Sequence, residues 1–186
     1  MNRQAADITS YAFNVTRQDG SARQAEGVNV RIRRFEIFEA FQGRSFVYRT
    51  SQNTYKEDFY RQFFYDPANM ITEAAVNWFS HSAYIANVEY KEMSMNADYE
   101  IKGLINALFV DAVDTANPKV RMTITFKGYD IRTLSARLCC EKQYSRELPL
   151  DKRSAEKIMA AWNEELTSIL SEFDKDLHDL LQKTEG

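Results

Sequence analysis

Between Phe38 and Tyr65 the sequence reads FEAFQGRSFVYRTSQNTYKEDFYRQFFY, and this stretch holds ten of the chain's 22 Phe and Tyr residues. Rings packed this densely either lie inside the fold or form a surface that meets another molecule. Gly43 and Arg44 mark the turn that opens a hairpin. Beyond it, period-two alternation places Phe46 and Tyr48 on one strand face, with Val47 and Arg49 on the other.

The same alternation predicts further strands. Tyr11, Phe13 and Val15 suggest one over 10–17. Residues 28–37 form a second, with Val28, Val30, Ile32 and Arg34 on one face and Asn29, Arg31, Arg33 and Phe35 on the solvent face. Ser45–Thr50 is a third strand, and Tyr55–Tyr60 its interrupted return. Strands over Tyr84–Tyr90 and Tyr99–Val110 come next. In the latter both faces turn apolar from Leu104, through Leu108 and Val110, so Leu104, Leu108 and Val110 are candidates for the wall of an apolar pocket. Gly103, where the change begins, marks a bulge or a close approach. Val120, Met122, Ile124 and Phe126 alternate strictly with Arg121, Thr123, Thr125 and Lys127. A turn at Lys127–Asp130 leads to a last strand with Leu134, Ala136, Leu138 and Cys140 facing inward. Polar connections are expected at 18–27, around Asp19-Gly20, and at 91–96.

Two helices are predicted. Asp66-Pro67 is an N-cap followed by a first-turn Pro, and Ile71, Ala74, Ala75, Trp78 and Phe79 form the apolar stripe behind it. The other runs from a cap at Asp151 to about Leu181, with apolar residues at steps of three and four. Its length, about 45 Å, exceeds the expected width of a small sheet. Its end is therefore expected to project, with Leu170, Phe173, Leu177, Leu180 and Leu181 available to a sister chain or partner; full packing within the chain is the alternative.

The fold expected is α+β: a single domain over 10–186 behind a flexible segment at 1–9, with a mostly antiparallel sheet and two helices packed on it. A net charge of -3 gives no reason to expect nucleic acid. No run approaches 18 apolar residues. Phosphate loops, nucleophile elbows and zinc-protease helices are absent, so no catalytic residue, metal ligand or cofactor is assigned. His81 suits the end of the first helix, and His178 sits on an acidic face with Asp174, Asp176 and Asp179. Asp98 and Glu100 share a strand face with Lys102 and read as a solvated charged row. Arg31, Arg33 and Arg34 read as a paired sheet face, with anionic headgroups as the alternative. Cys139 and Cys140 would point to opposite faces of a strand and read as free thiols, with a redox pair or metal site as alternatives.

Phe41, Gly43, Arg44, Phe46, Val47, Tyr48 and Arg49, then Tyr55, Tyr60, Phe63 and Pro67, resemble a pattern of the ABC-type transport auxiliary lipoproteins. The lead-in VNVRIRRFEIFEAF, the segments ITEAAVNWFSHSAYIANV and ADYEIKGLINAL, and the closing EKIMAAWNEELTSILSEFDKDL extend the resemblance over roughly residues 10–181. This family of outer-membrane lipoproteins of lipid transport systems includes the lipoprotein component of the paraquat-inducible Pqi system. The resemblance implies a domain similar to the N-terminal domain of TolB. It implies a periplasmic location, with anchorage to the inner leaflet of the outer membrane through a lipidated N-terminal Cys. That Cys and its signal are expected to have been replaced at Met1.

The function expected on this basis is a non-enzymatic adaptor that docks lipid transport machinery at the outer membrane. Its expected partners are the transporter's periplasmic substrate-binding component, the outer membrane, lipid and further copies of the chain. The alternative is a periplasmic carrier of lipid or another hydrophobic ligand; a small hydrolase is a third. Phe38, Phe41, Arg44, Tyr48, Tyr55 and Tyr60 are the candidate contact residues, because aromatic and Arg side chains carry interface energy.

Overall fold

A computed structural model describes residues 7–17, 27–91 and 96–184. The first six residues of the expected flexible segment, the Asp19-Gly20 turn and most of the 91–96 connection lie outside the described residues. The elements, in order, are β1 (Thr9–Tyr11), β2 (Val28–Ile32), β3 (Glu36–Ile37), a 3-10 turn (Glu39–Phe41), β4 (Ser45–Ser51), β5 (Thr54–Phe63), α1 (Pro67–Phe79), β6 (Ile85–Glu89), β7 (Tyr99–Asp111), β8 (Lys119–Asp130), β9 (Arg137–Pro149) and α2 (Ala155–Thr184). The architecture is α+β in a single domain: one curled mixed sheet with two helices.

The sheet is organised around β7. One edge pairs with β8 along nearly its whole length. The other is shared by three segments in succession, all parallel to it: β2 at Tyr99–Ile101, β3 at Leu104–Ile105 and β4 at Val110–Asp111. The long ladders, β4–β5, β7–β8 and β8–β9, are antiparallel. The expected strand over 28–37 is thus two short strands. Between them the chain holds one residue more than β7 opposite it, since Ile32 pairs with Ile101 and Ile37 with Ile105, and this turns Phe35 from its expected solvent face into the core. Phe35 is fully buried against Phe126, and its ring occupies the place of a side chain on Gly103, where an added Cβ would lie 2.6 Å away. Gly103 therefore marks a close approach.

The bulge in β7 is at Asn106, where the register with β8 shifts. Its amide oxygen accepts from Thr125 Oγ1 at 2.7 Å. The extra residue reverses the face that later side chains point to. Ile105 opposite Ile124, Leu108 opposite Met122 and Val110 opposite Val120 therefore share the core face, while Phe109 moves to the opposite one. This is why the strand reads as apolar on both faces.

The helices cover the core face. Asp66 caps α1 by accepting from Asn69 N, and Pro67 opens its first turn. Trp162 of α2 packs against Phe46 and Phe63, and Phe173 against Phe126 and Tyr144. Leu170, Phe173, Leu177 and Leu181 are all buried and Leu180 is half-buried, so the expected projecting end turns inward. The helix runs along the strands instead of across them: Arg146 of β9 reaches Ser168 and Glu172, and Lys142, farther along the strand, reaches Asp176. Its 30 residues span about 45 Å, and the 12 and 13 residues of β8 and β9 span about 41 and 44 Å. Its cap is Ser154, which accepts from Lys157 N at 3.3 Å; Asp151 accepts from Lys152 N outside the helix.

The last hairpin departs from expectation in a similar way. β8 continues through Asp130, the turn falls after it, and Leu134 is fully exposed there while Leu138 is half-exposed. A register shift opposite Gly128 and Tyr129 leaves Cys139 without a counterpart and brings both thiols to one side. Asp174 also departs from its expected acidic surface. It is buried, accepting from Tyr84 OH at 3.0 Å and from Arg17 at 2.8 Å, with Ser82 Oγ donating as well. His178 stacks on Tyr84, and His81 Nδ1 lies 2.8 Å from the Asn77 carbonyl at the end of α1.

Candidate docking surface

The hairpin of β4 and β5 carries the exposed rings. Asp58 pairs with Phe46 and Gln62 with Ser45, so Phe59, Tyr60 and Arg61 have no counterpart on β4. The Asp58 carboxylate holds this bulge by accepting from Tyr60 N at 3.0 Å and Arg61 N at 3.2 Å. Arg61 is used on the other side, where β1 pairs with it in parallel and its guanidinium reaches the Arg153 carbonyl. Phe59 and Tyr60 stand out into solvent, 75% and 57% exposed. Past the bulge Phe63 returns to the core, and Phe64 and Tyr65 are again exposed, their rings 5.9 Å apart. The Tyr65 hydroxyl donates to Glu73, which pushes its pKa up to about 12.

On the sheet face away from the helices, the 3-10 turn lays Phe41 flat on Phe109, with Tyr55 edge-on to both. The Arg49 guanidinium sits 5.5 Å from the Phe109 ring and pairs with Asp111. Asp111 is held below the usual carboxylate range, because these hydrogen bonds and charges outweigh the effect of its burial. Arg121, Glu147 and Lys119 continue the charged row. The face thus combines a half-exposed Tyr55 with ordered charges.

The six contact residues expected from sequence do not form one surface. Phe38 and Tyr55 are each 48% exposed, and Tyr60 stands on the bulge. Phe41 is buried beneath Tyr55 and supports it. Arg44 is exposed, but its Nε donates to the Phe63 carbonyl at 3.0 Å and holds the two strands together. Tyr48 faces the helix side, half-buried, with its hydroxyl accepting from Arg61 at 3.5 Å; burial raises its pKa. The most exposed rings of the stretch, Phe59 and Phe64, were missed. FYRQFFY breaks strict alternation, and that break was the available signal for a bulge.

Leu104, Leu108 and Val110 do not line one pocket. Leu108 and Val110 are packed in the core, and Leu104 borders an open cleft of about 490 Å³ whose other walls include Arg33, Arg34, Lys102, Lys127, Glu36 and Glu100. Its cations are paired: Arg33 and Lys102 with Glu100, Arg34 with Asp66, Lys127 with Glu141. Arg31 pairs with Glu89, so this sheet face is locally neutralised. No cluster of three or more His, Cys, Asp or Glu suited to a metal occurs among the described residues.

No family model matches the chain, and no curated protein matches it. Solved structures do. The chain is similar to protein XCC0632 from Xanthomonas campestris, of family DUF330, with a TM-score of 0.83 at 15% identity over 96% of this chain and 99% of that one. An uncharacterised protein superposes with a TM-score of 0.73 at 9% identity, covering 92% of this chain and 99% of the other. The hypothetical protein CT253 from Chlamydia trachomatis gives 0.53 at 10% identity, over 80% and 96%. At such identities the likeness is one of fold.

Proposed function

We propose that this protein is a non-enzymatic adaptor of an ABC-type intermembrane lipid transport system, acting in the periplasm at the outer membrane. The observation that carries the reading is the β5 bulge. A carboxylate is committed to holding Phe59 and Tyr60 out of the core, in a chain that buries most of its other rings. Exposed aromatic residues held rigidly at little entropic cost are the usual anchors of protein interfaces. The resemblance of the surrounding sequence to the auxiliary lipoproteins supplies the partner, the transporter's periplasmic substrate-binding component.

Membrane attachment through an N-terminal lipid belongs to the same proposal. One acyl chain alone holds a membrane only weakly, so protein contacts are needed to keep the adaptor in place. Self-association is compatible with this, through a surface other than the buried stripe of α2. Carriage of lipid by the chain itself is the weaker reading, since Leu108 and Val110 are already packed.

The test is binding between this protein and the purified substrate-binding component. Replacing Phe59 and Tyr60 with Ser should weaken the complex at least about tenfold, as loss of one interface anchor does. Unchanged affinity, or a stoichiometric lipid extracted from the protein by organic solvent, contradicts the adaptor reading.

A further inference from the structure

The β8–β9 hairpin carries a feature that the adaptor reading does not use. Opposite Gly128 the register shifts, so that Gly128 faces Cys140, Tyr129 faces Leu138, and Cys139 is the extra residue. In a regular strand neighbouring side chains point to opposite faces. Here the bulge brings the two together: a Cβ built on Gly128 would lie 2.6 Å from Cys140 Sγ and 3.5 Å from Cys139 Sγ. The absent side chain of Gly128 is thus the space the two sulfurs share. Cys139 Sγ is anchored 3.1 Å from the Gly128 carbonyl. Both residues are half-buried, with one side open to solvent.

The pair is poorly placed to close on itself. Adjacent Cα atoms across a trans peptide are about 3.8 Å apart, shorter than the roughly 4.4–6.8 Å that a relaxed disulfide spans. Ladder pairs on either side, Phe126 with Lys142 and Asp130 with Arg137, hold the strand extended. Two thiols that share a space without bonding to each other are free to take one ion between them. The charged groups near this end of the hairpin are paired with one another, Asp130 with Arg132 and Arg137, and Asp176 with Lys142.

We propose that Cys139 and Cys140 form a two-sulfur site for a soft, linearly coordinated d10 cation of the Cu(I) class. Thiolates select such ions, and among the described residues no group of three or more His, Cys, Asp or Glu is gathered as a tetrahedral ion would need. Binding displaces both thiol protons: one Cu(I) and two thiols give an anionic bis-thiolate complex and two protons, with no change of oxidation state.

The test is anaerobic titration with Cu(I) against a chromogenic Cu(I) chelator, using the whole chain, Cys139→Ser and Cys140→Ser, with circular dichroism to verify each fold. The expected result is one Cu(I) per chain, retained against the chelator by the unaltered protein and lost by both variants. Retention by either variant, or copper found only in chains bridged as dimers, overturns the site. A second measurement needs no variant. One equivalent of phenylarsine oxide should condense with both thiols, releasing one water, and protect both from maleimide. Protection of one thiol or neither overturns the shared geometry.

Discussion

Phe173 of α2 lies face to face on Phe126 of β8, with ring centroids 4.1 Å apart and planes 5° from parallel. Phe79 of α1 and Tyr144 of β9 meet the same Phe173 ring edge-on, so this one side chain joins both helices to the sheet. Phe173→Ala removes a buried ring and leaves a cavity, which costs about 3–5 kcal/mol. Denaturant unfolding should show a midpoint shift of that size, with the association state unchanged. Loss of self-association without loss of stability would return the helix end to an interface.

Glu165 introduces a pH dependence. It is buried on α2, and neither carboxylate oxygen has a hydrogen-bond partner among the described residues. Burial, with a smaller contribution from the Glu147 carboxylate, raises its pKa from the ordinary 4.5 to about 8. The folded state therefore holds a proton that the unfolded chain releases above pH 4.5. Its contribution to stability is complete below that pH and is lost as pH rises through about 8, at up to about 1.4 kcal/mol per pH unit. Glu165→Gln should flatten the stability profile across this window and leave the variant more stable at pH 8 and above. A profile identical to that of the unaltered protein counts against the burial argument.

Asp174 ties three parts of the chain together through Arg17, Ser82 and Tyr84. Removing one member of a buried ion pair leaves the other uncompensated, at about 3–5 kcal/mol. Asp174→Asn should therefore destabilise strongly. The double variant with Arg17→Met should recover part of the loss, measured as a coupling free energy in a mutant cycle.

Tyr48 and Tyr55 should separate cleanly. Tyr48→Ala removes a half-buried ring on the helix side and should cost about 2 kcal/mol. Tyr55→Ala removes a half-exposed ring from the opposite face, at under about 1 kcal/mol. Equal costs would mean that the two faces of the hairpin are not distinguished as the structure has them.

Regular alternation made β8 legible, and three- and four-residue spacing made both helices legible, because one face of each is buried along its whole length. Bulges were not legible. The extra residue at Asn106 turned an apparent pocket wall into core, the bulge held by Asp58 put Phe59 outside, and the bulge at Cys139 joined two thiols that parity would separate. Each depends on which partner residue is skipped, and that information lies in another strand. The direction of α2 was hidden in the same way: its stripe was plain, but whether it runs along the sheet depends on strands that start far earlier in the chain.

If the bulged hairpin recruits a protein, a photo-crosslinking amino acid placed at Phe59 should trap it in cells that make the transport system, with Leu134, an exposed residue on another turn, as the control position. The expected adduct is with the transporter's periplasmic substrate-binding component from position 59, with none from 134. Absence of that component from the Phe59 adduct, or equal capture from both positions, would contradict recruitment by the hairpin.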